Sequence, residues 1–180
     1  TAGPTNTPTA TPTTTNTPTI TPTPTLALGS VWRTNVNNSA FTISWITSQV
    51  VTGSIRYGTS PGAVNTVVND DRGAGVTDDT HYVTVQSLSP STTYYFVLVS
   101  GGQTFDNGGV PYTVTTGAVP AQPSCPNGGD YTYGYANKQD ASPASGAIIS
   151  LTIQHGGLTS FPMSGIAGPS GIWSVDIGNA

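Results

Sequence analysis

The sequence contains no glutamate and few other charged residues. Its eight acidic residues are all aspartates, and with four Lys and Arg side chains they give a net charge of −4 at pH 7. A chain without glutamate but with 22 glycines is unusual for a helical protein, and its Thr, Val, Ser and Tyr enrichment favours β-structure. The absence of a basic patch argues against nucleic acid as a partner.

Cysteine and long hydrophobic runs are also scarce. Cys125 is the only cysteine, so no disulfide can form within the chain. Its place in the segment PSCPNGG predicts an exposed thiol, which is incidental, paired with a cysteine outside this chain, or used in an intermolecular bridge. No apolar segment approaches transmembrane length, so we expect no membrane span. Because the chain begins at Thr1 without a signal peptide, we expect a processed product or a fragment.

What the sequence does contain is an N-terminal tail of alternating threonine. A near-exact ten-residue repeat, TNTPTATPTT and then TNTPTITPTP, fills residues 5–24. Proline removes backbone donors and restricts the residue before it, so we expect an extended tail. In a β-like strand, alternate residues share a face and an edge. The threonines would line one face, and the N–H groups missing at the prolines would all lie on one edge, so we expect an edge strand that pairs on one side only.

The tail has two interpretations, a flexible O-glycosylated stalk or a connector that pairs with another subunit. Fully extended, it reaches roughly 70 Å. The glycosylation candidates are its threonines: Thr5, Thr7, Thr9, Thr11, Thr13, Thr15, Thr17, Thr19, Thr21, Thr23 and Thr25. The assembly residues of the tail occupy even positions: Pro4, Pro8, Pro12, Pro18, Ile20, Pro22 and Pro24.

Seven strand-like runs, separated by Gly, Pro and Asn turn signals, follow the tail and predict a β-sandwich. Within them, Trp45, Tyr57 in SIRYGTSPG, and the segment LSPSTTY from Leu88 to Tyr94 resemble the fibronectin type III family. The resemblance covers residues 29–117. It implies that Trp45 and Leu88 are core residues and that Tyr94 makes a tyrosine corner. RYGTSPG is also similar to the non-catalytic domain that precedes the catalytic domain of purple acid phosphatases, and neither resemblance implies chemistry.

Residues 131–180 contain four more strand-like runs, with Trp173 as an expected core residue. The segment DASPASGAII (140–149) followed by GIW (171–173) resembles carboxypeptidase regulatory-like and collagen-binding B-type Ig-like modules. Those modules usually have more strands, so the resemblance implies a small, incomplete module with open sheet edges. The isopeptide-forming constellation of some of these families is not evident, because Lys138 is the only lysine and lies in a predicted turn.

The sequence therefore predicts an all-β protein: two Ig-like β-sandwich modules in tandem behind an extended tail. The predicted boundaries are 1–28 for the tail, 29–118 for the fibronectin type III-like sandwich, 119–130 for a Pro/Gly linker and 131–180 for the small module.

No pattern predicts a catalytic, cofactor-binding or metal-binding residue. His81 and His155 lie in no recognisable triad motif and are expected to be ordinary strand-end residues. The loop DDRGAGVTDD (70–79) matches no calcium-loop template, so we expect solvated carboxylates there. The triplet Asn37-Asn38-Ser39 is a glycosylation sequon, but the tail threonines are the stronger candidates for modification.

The aromatic residues allow two interpretations of one predicted strand face. Two of the three tryptophans, Trp45 and Trp173, are expected in cores, while Trp32 is not assigned. Tyr131, Tyr133 and Tyr135 alternate on one face of a predicted strand. They either pack against the protein or form an exposed platform for sugars.

Together these features predict a structural subunit of an extracellular or cell-surface filament, assembled head-to-tail through its tail and O-glycosylated on tail threonines. Its expected partners are copies of itself and covalently attached glycans, with no cofactor. The alternative is a non-catalytic accessory fragment of a larger secreted enzyme that binds carbohydrate or a surface. An independent enzyme is the least expected function.

Overall fold

The computed structural model describes residue 3 and residues 25–119 and 130–177. Cys125 and the predicted tail sites at residues 4–24 lie outside the described residues, whereas Thr25 is described and exposed. Every helix or strand element in the described ranges is a β-strand, which confirms the all-β fold class. No helix that could cross a membrane is present in these ranges. Residues 25–119 are called the first unit below, and residues 130–177 the second unit.

The first unit has seven strands that curl over one core. They are β1 (Leu28–Thr34), β2 (Phe41–Gly58), β3 (Thr66–Asn69), β4 (Thr77–Val85), β5 (Thr93–Ser100), β6 (Gln103–Phe105) and β7 (Tyr112–Thr115). The first half of β2 pairs with β1 and β4, and its second half pairs with β3 and β5. β5 also pairs with β6 and β7. Because β2 runs through both layers, the sheet closes into a sandwich-like shape.

The sequence pattern predicts two separate strands where β2 is continuous. The predicted gap between the runs at 40–47 and 53–58 corresponds to an irregularity in the β2–β4 register between Ile46 and Val51. Thr and Val favour extended backbone, so the chain bends there without a turn.

The core of the first unit lies between the two layers. Alternation in β2 directs Phe41, Ile43 and Trp45 inward, and all three are fully buried. The facing layer and the β4–β5 connection supply further buried residues, including Ile55, Leu88, Tyr94, Phe96, Leu98 and Val114. Tyr57 packs partly buried against this cluster. The Trp45 indole N–H donates to Ser100 Oγ at 2.9 Å, which satisfies its only polar atom.

The connection between β4 and β5 is fixed by a tyrosine hydroxyl. Tyr94 Oη accepts a hydrogen bond from the Ser89 N–H at 2.9 Å, five residues upstream. This is the geometry of a tyrosine corner. At the other end of the unit, Leu26 is buried beside Gly101, so the chain is already packed two residues before β1 begins.

The second unit contains six short strands rather than the four predicted runs. They are β8 (Tyr131–Tyr135), β9 (Ile148–Leu151), β10 (Gln154–His155), β11 (Leu158–Thr159), β12 (Met163–Ile166) and β13 (Ile172–Asp176). They form three two-stranded sheets, β8–β13, β9–β12 and β10–β11. The predicted run at 158–164 splits into β11 and β12 because it contains Pro162, which cannot donate to a ladder. Trp173, an expected core residue, is only half-buried.

The second unit covers the outer face of the first layer of the first unit. Thr42 and Ser44 alternate with the core residues of β2 and so point away from the core, yet both are fully buried. Thr34 and Tyr82, from β1 and β4, are buried on the same face. The two units therefore lie side by side across this polar face.

Candidate functional site

The most exposed aromatic surface of the described chain is one face of the β8–β13 sheet. Tyr131, Tyr133 and Tyr135 are 62%, 76% and 72% exposed. In the β8–β13 register they lie opposite Asp176, Ser174 and Ile172, and the Ile172 side chain is also exposed. This surface is called the tyrosine face. The interpretation in which the tyrosines pack against the protein is therefore wrong.

A glycine on the opposite face of β8 makes room for a tryptophan. Gly134 lies opposite Trp173 in the ladder, so both face the inner side of the sheet. A Cβ on Gly134 would lie 2.7 Å from Trp173 Cζ2, closer than van der Waals contact allows. The missing side chain leaves room for the Trp173 indole against β8 on this inner face, while strand alternation places Tyr133 and its neighbours on the outer face.

β8 also has an open hydrogen-bonding edge. One hydrogen bond closes each end of its ladder with β13. The Ile177 N–H donates to the Asp130 carbonyl (2.6 Å) at one end, and the Ala136 N–H donates to the Gly171 carbonyl (2.8 Å) at the other. In an antiparallel pair, these bonds direct the N–H and C=O groups of even-numbered β8 residues towards β13. The odd-numbered residues, which are the three tyrosines, direct theirs to the opposite edge. No other described strand pairs with β8 there.

The contact between the two units centres on Asn35 and Ser164. The Asn35 amide nitrogen lies 3.1 Å from the Ser164 carbonyl and 3.0 Å from Tyr82 Oη, and its Oδ1 accepts from the Ser164 N–H at 2.8 Å. Ser164 Oγ also lies 2.6 Å from Thr34 Oγ1. The Asn35 backbone has φ 52°, a left-handed conformation that asparagine tolerates better than most residues. Asn35 thus satisfies both backbone groups of Ser164, as a neighbouring strand would. The burial of this network raises the pKa of the Tyr82 hydroxyl.

A second contact between the units involves the predicted aspartate loop. Arg72 Nε and Nη2 donate to the two carboxylate oxygens of Asp70 at 2.8 and 2.9 Å, and Nη1 donates to Asp78 at 2.6 Å. Arg72 also donates to the Thr80 carbonyl. Thr80 Oγ1 in turn donates to the Gly146 carbonyl of the second unit at 3.0 Å.

The Asp70 carboxyl of this loop is held in its ionised form by its neighbours. Burial alone would raise the pKa of the Asp70 carboxyl, but hydrogen bonds, those from Arg72 foremost, keep that pKa well below its ordinary value. The hydrogen bonds with Asp70 raise the pKa of Arg72. Asp71 is also engaged, since it accepts from the Thr84 N–H and Oγ1 at 2.8 and 2.7 Å. The expectation of solvated carboxylates is therefore wrong for Asp70, which is buried, whereas Asp71 remains exposed and Asp78 partly exposed while they accept these hydrogen bonds. No group of three or more potential metal ligands occurs among the described residues.

The two histidines differ in position: His81 lies in the middle of β4, so the expectation of a strand-end residue is wrong for it, whereas His155 ends β10. His81 is fully buried and stacks on Trp45, with ring centroids 4.9 Å apart. Its Nε2 lies 3.3 Å from Thr47 Oγ1 and its Nδ1 lies 3.7 Å from Asp70 Oδ2, but all three side chains are buried and face no substrate. His155 is exposed in the β10–β11 hairpin. Asn37 Oδ1 accepts from two backbone N–H groups and closes a turn.

A cleft of about 290 Å³ lies between the units. Trp32 and Ile46 of the first unit and Ile148 of the second line it, together with the hydroxyl-bearing Thr34, Ser44, Thr80 and Ser150. Trp32 is 41% exposed, so one side of its indole is accessible. Ser44 Oγ is buried and has no hydrogen-bond partner among the described residues. The sequence pattern gave no sign of this cleft, since its walls come from distant segments.

No family model matches this chain, and no curated protein matches it. Among solved structures, it is similar to the sensor domain of the anti-sigma factor RsgI4 of Pseudobacteroides cellulosolvens, solved in a longer and a shorter form. The longer form is 16% identical over 56% of this chain and 96% of that chain, with a TM-score of 0.40. The shorter form is 14% identical over 53% of this chain and 95% of that chain, with a TM-score of 0.34.

Proposed function

We propose that this chain is a structural subunit of an extracellular or cell-surface filament. In this filament the N-terminal tail of one copy joins the folded part of the next, and tail threonines carry O-linked glycans. The observation that carries the proposal is the open edge of β8, which presents three exposed tyrosines beside backbone groups that no described strand pairs with. Such an edge is a template for pairing with another chain.

The sequence supplies a segment suited to that edge. All prolines of the tail lie on one edge, which therefore lacks most of its N–H groups, so the tail suits the place of a terminal strand better than that of a central one. A contact between a tail and a distant strand is heterologous, and repeating it from copy to copy builds an open chain of subunits. Donor-strand complementation follows the same physical principle.

The contact between the units also suits a filament. Buried hydrogen bonds join Asn35 and Tyr82 of the first unit to Ser164 of the second, and Thr80 is bonded to Gly146. A fully satisfied buried network favours one arrangement of its elements over others. Each subunit would then enter the filament as one body rather than as two hinged ones.

The two units themselves are best interpreted as surface-protein modules. We infer that the first unit is fibronectin type III-like, which the tyrosine corner of Tyr94 supports. We infer that the second is an incomplete module of the carboxypeptidase regulatory-like or collagen-binding B-type kind. Its sheets of two strands support that inference, because such small sheets gain stability from an added strand.

Electron microscopy of the purified full chain tests this function directly. We expect filaments of uniform width whose formation rises steeply with protein concentration, and mass spectrometry of the native protein should place hexose-type additions on tail threonines. A deletion of residues 1–24 should leave the folded units intact, by circular dichroism, and abolish the filaments. A full chain that remains monomeric at millimolar concentration, with native glycans attached, would contradict the proposal.

A second candidate function is supported by the cleft between the units. A partly exposed indole beside a row of hydroxyls is a combination suited to a sugar, since Trp32 offers a stacking surface and Ser44 an unpaired hydroxyl. The chain would then be a non-catalytic, carbohydrate-binding accessory part of a larger secreted enzyme. Affinity electrophoresis in soluble polysaccharides tests it. We expect retardation that Trp32→Ala abolishes and that Phe161→Ala, at another exposed aromatic side chain, preserves.

A further inference from the structure

We propose that β8 is the strand that receives the tail, and that threonines in the tail of a second copy lie directly opposite the three tyrosines. The proposal rests on the filament function proposed above and identifies its docking site. The proposed occupant of the open edge is the segment 17–25 of another copy. Three features support this choice: the direction of the free backbone groups, the face that carries the tyrosines, and the place of Ile20 in the tail.

The first feature is the matching of backbone donors. From residue 5 to residue 25 the odd positions are all threonines with an N–H group, whereas the prolines, which lack one, are all at even positions. Within residues 17–25 the even-numbered edge keeps only the N–H of Ile20, whereas the threonine edge keeps all of its donors and is the better edge for pairing. On β8, the groups that face the open edge belong to Tyr131, Tyr133 and Tyr135. An antiparallel pairing that uses all available donors thus sets a threonine opposite each tyrosine.

The second feature follows from the first. Residues directly opposite each other in an antiparallel pair project their side chains to the same face. The tail threonines would therefore lie on the tyrosine face, each with its methyl group against a tyrosine ring. Pairs of aromatic and β-branched residues are among the favourable cross-strand combinations. The exposed rings would lose contact with water, while the threonine hydroxyls would remain at the surface.

The third feature selects the register. Ile20 is the only large aliphatic side chain in the Thr/Pro repeat, and Ala10 occupies the equivalent position of the first copy. With Ile20 opposite Gly134, its side chain would lie on the inner face next to the half-buried Trp173. The same register sets Thr21 opposite Tyr133.

The same register pairs the other two tyrosines with the threonines two positions away. Thr19 lies opposite Tyr135, and Thr23 lies opposite Tyr131. Pro18, Pro22 and Pro24 then turn their nitrogen atoms to the outer edge, where no donor is needed. The added strand would be an end strand by construction, so lateral addition of a further chain would stop there.

Disulfide cross-linking of the full chain tests the register. In a Cys125→Ser background, Thr21→Cys and Tyr133→Cys would bring two Cα atoms to about 5.5 Å, as in a hydrogen-bonded antiparallel pair, which a disulfide can span. We expect oxidation to give a ladder of covalent dimers, trimers and larger species on a non-reducing gel. The matched control pairs Ile20→Cys with Tyr133→Cys. Its side chains would lie on opposite faces, so we expect at most about one tenth of the cross-linking.

Substitution at one edge position tests the site without any cross-link. Tyr133→Pro removes one N–H on the open edge and leaves the bonds to β13 in place, while Tyr133→Thr removes the ring and keeps the N–H. We expect the proline variant to raise the concentration needed for filaments at least about tenfold, and the threonine variant to raise it less. Phe161→Ala should not change it.

The possible outcomes distinguish a failure of the proposed docking site from a failure of the proposed filament function. A disulfide formed within single chains would mean that the tail folds onto its own copy, and would overturn the proposal. Filaments that form normally in Tyr133→Pro, with no cross-linked ladder, would also overturn it but would leave the filament function intact. A wild-type chain that never forms filaments would overturn both. A ladder that forms only when Thr21→Cys is combined with Tyr133→Cys, together with the loss of filaments in Tyr133→Pro, would establish the site.

Discussion

Replacing Asn35 with alanine should separate the two units more effectively than any other single change. The Asn35 side chain joins β1, β2 and β4 of the first unit to Ser164 of the second through several hydrogen bonds. Alanine would remove all of them. It would leave the Ser164 N–H, in a residue only 5% exposed, without its partner.

The magnitude follows from two contributions. A buried donor left without a partner costs about 1–3 kcal/mol. Asn35 has φ 52°, and alanine in a left-handed conformation costs about 1 kcal/mol more than asparagine does. We therefore expect Asn35→Ala to lower the free energy of unfolding by about 2–4 kcal/mol.

Urea unfolding, followed by both far-ultraviolet circular dichroism and tryptophan fluorescence, measures this effect. The wild-type chain should unfold with coincident transitions, because the units stabilise each other. In Asn35→Ala the transitions should separate, with the second unit unfolding first. Asn35→Gly is the matched control, since glycine accepts the positive φ without strain and isolates the loss of the side chain at about 1–3 kcal/mol.

Two results would refute this reasoning. One is an Asn35→Ala chain that unfolds within about 0.5 kcal/mol of wild type, the range of an ordinary surface substitution. The other is full recovery of stability in Asn35→Gly, which would show that backbone strain, and not the hydrogen bonds to Ser164, is the whole effect.

Three further predictions concern the rest of the structure. Arg72→Ala should lower the free energy of unfolding at pH 7 by about 3 kcal/mol in urea titrations, because it leaves the Asp70 carboxylate buried without its cation. Since the folded pKa of Asp70 is lowered, its contribution is present above pH ~4 and is lost as pH falls through the folded value; a wild-type stability curve that stays flat below pH 4 would contradict this. Gly146→Ala, at φ 79° and with a Cβ that would lie 2.8 Å from Asp78 Oδ2, should lower the free energy of unfolding by about 1–2 kcal/mol in urea titrations, and unchanged stability would argue against it. Gly134→Val should displace the Trp173 indole, shift its fluorescence and cost about 1–3 kcal/mol, whereas an unaltered spectrum would show that the sheet adjusts freely.

Local pattern predicts much of this fold, and its failures have local causes. Alternation and turn residues place most strands of the first unit, because one face of each is buried and the other is polar. The pattern predicts two strands in place of β2, because composition alone does not distinguish a bend within one strand from a gap between two strands. β6 (Gln103–Phe105) is not predicted, since it has only three residues and its stability comes from pairing with β5.

The contacts between the units lie beyond local pattern. Asn35 and Ser164 are separated by 129 residues, and neither belongs to a motif. Thr42 and Ser44 have the composition of a solvated face, and only the docked second unit buries them. The tyrosine alternation was visible in the sequence, but the close approach of Trp173 to Gly134 on the other face of β8 was not, because the two residues are brought together only by pairing with β13.

The position of Asn35 at the end of β1 has a mechanical consequence. β1 begins at Leu28, just after the tail, and Asn35 follows its last residue and holds the second unit. A pull on the tail would therefore run lengthwise along β1 and pass from Asn35 to Ser164. The β1–β2 hydrogen bonds would bear that load in shear, all together, rather than opening one after another from an end. A chain built this way would resist tension through its first strand, and the rate at which β1 slides past β2 would set its lifetime under load.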